Sequence, residues 1–94
     1  MEDKKNPPKS VKVLAVLNQL GKSGTANLLY HYKKNFPDDY MHTRLLIAHL
    51  DFLHESQRII KFHKSYKGKS KSENPQTYII TDRGKYNLNK WGLL

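Results

Sequence analysis

The run Tyr78-Ile79-Ile80-Thr81-Asp82-Arg83-Gly84-Lys85-Tyr86-Asn87-Leu88 constrains the fold more than any other stretch of the chain. It follows a lysine-rich segment with no acidic residue before Glu73. Residues 76–80 read as a strand rich in β-formers. Thr81 then supplies a side-chain oxygen to cap a helix by accepting from an orphan backbone N–H. Gly84 lets the first turn of that helix lie against a neighbouring element, where a side chain would stand in the way. Upstream, residues 58–64 carry Ile59, Ile60 and Phe62 in loose alternation and read as the partner strand. A strand, a basic tip, a return strand and a closing helix make a wing, a shape suited to gripping a nucleic-acid backbone.

The 94 residues have room for one domain with a modest core, and a chain this short often gains stability from a partner. Lys plus Arg number 17 against 8 Asp plus Glu, a formal charge of +9. That excess attracts polyanions: DNA, RNA or an anionic membrane surface. No apolar run approaches the ~20 residues that span a bilayer, and the polar start Met1-Glu2-Asp3-Lys4-Lys5 leads into no signal-peptide core. A cytoplasmic, nucleoid-associated protein is the expectation. The absence of cysteine excludes disulfides and Cys-ligated zinc and agrees with a reducing compartment.

Residues 1–9 read as a flexible polar arm and residues 10–94 as the folded domain. Ser10 is the expected cap of a first helix through Leu20, with Val13, Leu14, Val16, Leu17 and Leu20 on its apolar face and Gly21 ending it. Ser23 or Thr25 is the expected cap of a second helix reaching Asn35, with Ala26, Leu29 and Tyr30 inward, and Phe36-Pro37 stops it. A third helix is expected to open at Asp38-Asp39, whose carboxylates suit the positive helix end, and to run to about Ser56. Leu46, Leu50 and Leu53 form its buried stripe. Tyr40, Arg44, Ala48, Asp51 and Glu55 fall opposite. No internal repeat and no second domain are evident.

This order is α+β: three helices, a two-stranded wing and a C-terminal helix. The run from Leu46 through Ile60 resembles the recognition helix and first wing strand of small winged helix-turn-helix regulators. The Tyr78-to-Gly84 run is similar to their second wing strand and closing-helix start. The likeness spans residues 10–94 and is nearest to the PadR-like and MarR-like groups. Size and lysine content are also similar to the centromere-binding adaptor of an archaeal plasmid partition system. One departure stands out: the usual glycine before the first wing strand is replaced by Ser56-Gln57-Arg58. The resemblance implies double-stranded DNA binding, either as a transcriptional regulator or as a DNA partition factor.

A helix fits the major groove, where residues near its start reach base edges. Arg44 is the leading candidate for a base contact, since a guanidinium donates two bonds to guanine. The alternative for Arg44 is a solvated residue paired to Asp51 or Asp39. His42, Thr43 and Tyr40 can add hydrogen bonds to bases or phosphates. Lys64, Lys67, Lys69 and Lys71, with Lys61 before them, would hold phosphates as point charges. Lys22 and Ser23 near the start of helix two, and Lys33 and Lys34 at its end, can clamp the flanking phosphates. Phe52, Leu88, Trp91 and Leu94 are the large apolar residues left over for a homodimer contact, which suits a palindromic site. For Trp91 the alternative is packing against its own core.

Catalysis is not expected. His42, His49 and His54 do not share a helix face at ligand spacing, so no metal site and no cofactor are anticipated. No nucleophile motif or Gly-rich phosphate loop is present. A competing reading is a winged-helix adaptor whose basic face docks an acidic protein. RNA binding ranks below these, since aromatics that stack single-stranded bases are not clustered on the strands.

Overall fold

The computed structural model describes residues 7–62 and 76–93. In chain order the elements are α1 (Lys9–Leu20), β1 (Ser23–Gly24), α2 (Thr25–Asn35), α3 (Thr43–Glu55), β2 (Ile59–Phe62), β3 (Thr77–Ile80) and α4 (Asp82–Lys90). The sheet is antiparallel with order β1-β3-β2, and the whole is a winged helix. Lys64, Lys67, Lys69, Lys71 and Leu94, and most of the proposed N-terminal arm, lie outside the described residues.

The core follows from helical and strand periodicity. Val13, Leu14 and Leu17 of α1, Leu28 and Tyr32 of α2, and Leu46, Leu50 and Leu53 of α3 are all shut off from solvent. Ile59, Tyr78 and Leu88 close it from the sheet and α4. Each aliphatic side chain so buried contributes about 1.5–3 kcal/mol. Register explains the wing. Ile59 faces Ile80 and Lys61 faces Tyr78 on the inner side, whereas Ile60 opposes Ile79 and Phe62 opposes Thr77 on the outer side.

Several local expectations need correction. α1 starts at Lys9 behind Pro8, so Ser10 is inside the helix and is not its cap. Proline here sets an extended backbone that its neighbours can leave into a helix. The residue before α2 is Gly24, with no side-chain cap, and the Ser23 hydroxyl donates instead to the Gly21 carbonyl at 3.3 Å. α2 turns Leu28 and Tyr32 inward and leaves Ala26 and Tyr30 exposed, a rotation of its apolar face by one to two positions. Tyr32 takes the inward place because its hydroxyl finds Asp39 there. The strand β1 is an addition to the expected order. Two residues are too short for a periodic signal, and only pairing with β3 creates the strand.

α3 begins at Thr43, five residues after the expected Asp38. His42 is its cap: Leu45 N–H donates to His42 Nδ1 at 3.4 Å. Asp38 and Asp39 belong to the preceding turn, where Asp39 answers to lysines of α1 and not to the α3 dipole.

The far end of α3 accounts for the absent glycine. Arg58 N–H donates to Leu53 O at 2.9 Å and Gln57 N–H to His54 O at 3.0 Å, the paired bonds of a Schellman ending. That ending requires a left-handed residue, and Gln57 fills the place with φ +62°. α4 ends the same way through Leu93 N–H to Leu88 O and Gly92 N–H to Asn89 O, there with glycine at φ +71°. The turn therefore stays tight without glycine at the first site.

Candidate nucleic-acid interface

The exposed side of α3 is built by the same stripe that buries Leu46, Leu50 and Leu53. With those turned inward, Thr43, Arg44, Ala48 and Asp51 face solvent. Arg44 sits in the first turn, beside exposed His42 and Tyr40, whose rings lie 5.4 Å apart. With Nδ1 spent on the cap, His42 keeps Nε2 for an outside partner.

Both carboxylates that stood to neutralise Arg44 are engaged elsewhere. Asp39 accepts from Lys9, from Lys12 at 3.0 Å and from the Tyr32 hydroxyl at 2.6 Å. Asp51 lies 3.8 Å from Lys61 of β2. Arg44 has no hydrogen-bond or ion-pair partner among the described residues. A solvent-facing, unpaired guanidinium at a helix start is the arrangement that can donate a bidentate pair to a base edge.

The Asp39 cluster positions this turn. Lys9 also donates to the Tyr40 carbonyl, so the start of α1 grips Asp39 and Tyr40 in the turn ahead of α3. Hydrogen bonds from Lys9 first and the Tyr32 hydroxyl next, with Lys12 adding to them, hold the Asp39 carboxyl well below the ordinary carboxylate value. Burial, reinforced by the bond to Asp39, pushes the Tyr32 phenol well above its own. Close by on α3, burial and the charge of Lys9 lower His49, while Asp39 opposes them. Nothing in the sequence pairs residues thirty positions apart, so it does not join Lys9 to Asp39; the only signal is a lone acid pair beside Pro37.

The flanks come from other elements. Lys22, before β1, stands 4.2 Å from the ring centroid of Phe62 at the end of β2. A cation on the ring face gains from the ring quadrupole and keeps Lys22 at the root of the wing. Next to it, α2 starts behind Gly24 without a side-chain cap. Ser23 is buried, so its side chain does not reach that surface. Lys33 and Lys34 are exposed at the opposite end of α2, Lys34 at 5.9 Å from Tyr30. The structure thus brings Tyr40, His42, Thr43 and Arg44 together, sets Lys22 at the wing root, and leaves Lys33 and Lys34 at the far end of α2.

The residues assigned to a dimer contact divide. Leu88 is fully buried in the chain's own core and unavailable to a partner. Trp91 is half-buried and packs on the same core. Phe52 is exposed, with the Arg58 guanidinium 5.7 Å from its ring centroid. The apolar side of α4 is thus spent internally, because nine helical residues hold only Leu88 and the contact at Gly84 to anchor them.

Among the described residues no group of acidic and histidine side chains is placed to hold a metal, and no helix is long and apolar enough to cross a membrane. No protein-family model matches the chain, and no curated protein sequence matches it. Solved structures do. The chain is similar to Pex from Synechococcus sp. (strain PCC 7942), with 24% identity and a TM-score of 0.61, covering 92% of this chain and 80% of that one. It is similar also to the circadian clock associated protein Pex from Anabaena, with 17% identity and a TM-score of 0.60, covering 92% and 79%. At such identities the likeness bears on the fold.

Proposed function

We propose that this protein binds double-stranded DNA site-specifically, without catalysis, and acts as a transcriptional regulator. The carrying observation is Arg44, exposed and unpaired in the first turn of α3, while Asp39 pairs with Lys9 and Lys12 and Asp51 lies 3.8 Å from Lys61. α3 enters the major groove, and Tyr40, His42 and Thr43 join Arg44 at the bases and adjoining phosphates. Lys22 and the start of α2 meet the flanking backbone, as do Lys33 and Lys34 where the duplex continues. Lys64, Lys67, Lys69 and Lys71 add sequence-independent affinity. The fold shared with Pex, described as circadian clock associated, is compatible with a regulatory role.

Two copies on a palindromic site would double these contacts. The test is duplex binding at several salt concentrations. The slope of log affinity against log salt is expected at about −0.9Z, with Z of roughly 4–8 per dimer. A flat response removes the DNA reading and favours an acidic protein partner. A footprint that widens with protein concentration would point from promoter occupancy to partition by loading along a repeat.

A further inference from the structure

A second basic surface lies beyond the other end of α3. An open groove of about 530 Å³ is lined by Arg58, Asp82, Arg83, Tyr86, Asn87 and Lys90. Three cations there face one carboxylate, and none of the three has an ion-pair partner among the described residues. Two exposed aromatics flank them. Tyr86 is 64% exposed with Lys90 at 5.6 Å from its ring centroid, and Phe52 is 51% exposed beneath Arg58. This surface is not unused core, because α4 turns Gly84 and Leu88 inward and packs Trp91 on the interior.

Aromatic side chains interleaved with arginine are the composition of protein-binding anchors. The charge asks for carboxylates. Lys90 and Arg58 lie 5.6 and 5.7 Å from the Tyr86 and Phe52 ring centroids, so each cation stands beside an apolar surface, a pairing suited to a segment of mixed acidic and apolar side chains. Arg44 and Phe52 are eight positions apart on α3, roughly 12 Å along its axis, so the groove lies towards the opposite end of α3 from Arg44.

We propose that the groove between the start of β2 and α4 docks an acidic protein segment carrying apolar or aromatic side chains. The carboxylates meet Arg58, Arg83 and Lys90, and the apolar side chains lie on Tyr86 and Phe52. The protein is then an adaptor, with a partner on α4 whether or not α3 holds DNA.

The test uses a fluorescein-labelled twelve-residue peptide of alternating glutamate and phenylalanine, followed by anisotropy with the full chain. Arg83→Glu and Lys90→Glu are each expected to weaken binding about five- to tenfold, and Tyr86→Ala several-fold. Lys85→Glu makes the same change of net charge at an exposed α4 position outside the groove, and is expected to change affinity less than about twofold. Equal losses in Lys85→Glu and Lys90→Glu would mean bulk charge alone and overturn the proposal. The peptide should stay bound when unlabelled duplex saturates the protein. Displacement by duplex, or a larger loss of duplex affinity than of peptide affinity in Arg83→Glu, would make the groove a nucleic-acid contact and overturn it equally.

Discussion

Thr81 fastens the end of α3 to the start of α4 through Gln57: its hydroxyl donates to the Gln57 carbonyl at 2.8 Å and accepts from Gly84 N–H at 3.2 Å. One residue on, the Arg58 carbonyl accepts from Thr81 N–H at 3.0 Å. The carbonyls just past the end of α3 are thus received by the cap of α4. The joint ties the turn between α3 and β2 to the start of α4.

Gln57→Gly should stabilise the protein by about 0.5–1 kcal/mol. A left-handed residue other than glycine costs about 1–2 kcal/mol, and glycine gives back about 0.5–1 through the unfolded chain. Urea unfolding compares the two. A less stable variant would mean that the Gln57 side chain makes up for its backbone.

Gly84→Ala should lose about 2–3 kcal/mol. A Cβ there would fall on the Arg58 carbonyl oxygen and 2.7 Å from Ile80 Cγ1. The oxygen belongs to backbone already bonded to Thr81, so it cannot retreat cheaply. Thermal melts followed by circular dichroism check this, and an unchanged melting temperature would show that α4 can shift away.

The roles of Gly84 and Thr81 are legible in the sequence, because a cap and a close approach are local demands with short signatures. So are the α3 stripe and the order of elements after β1. The features that the sequence hides depend on distant residues. β1 exists only because Ser23 meets Tyr78. The start of α3 falls later than its acids suggest because Asp39, a natural dipole partner, is claimed by lysines of α1, Lys9 lying thirty positions earlier. Exposure of Arg44 follows from periodicity; the pairing of Asp39 with Lys9 and Lys12 and of Asp51 with Lys61 does not.

Trp91→Ala should lower stability by about 2 kcal/mol, below the ~3–5 of a fully buried tryptophan, without changing oligomeric state. Trp91 packs half-buried against its own core. Sedimentation at micromolar concentration together with urea unfolding separates the outcomes. A folded variant that shifts from dimer to monomer would return Trp91 to an intermolecular contact.

Acid should weaken the fold in two stages. His49 is lowered from its ordinary 6.5, so its contribution is present above that pH and is lost as pH falls below it. Asp39 is lowered from 3.8, so its contribution is present above that value and is lost as pH falls towards its folded pKa. Tyr32, raised above 10.0, adds stability below that pH which fades in stronger alkali. Denaturant unfolding at pH 7, 5 and 3 reads the stages. His49→Gln should flatten the upper one and Asp39→Asn the lower, and a variant that keeps the wild-type slope would remove its group from the account.

Arg44→Ala should abolish discrimination at one base position, on the order of 1–3 kcal/mol, while keeping most non-specific affinity. The side chain is exposed, so the melting temperature should hold within a degree or two. Exchanging Lys67, Lys69 and Lys71 together for Ala should do the opposite, weakening all sequences alike and flattening the salt slope. The comparison needs one selected duplex and one scrambled duplex at two salt concentrations. If Arg44→Ala keeps its full site preference, base reading belongs to other residues on the exposed face of α3. If the lysine variant binds both duplexes as the wild type does, those three residues are not backbone contacts.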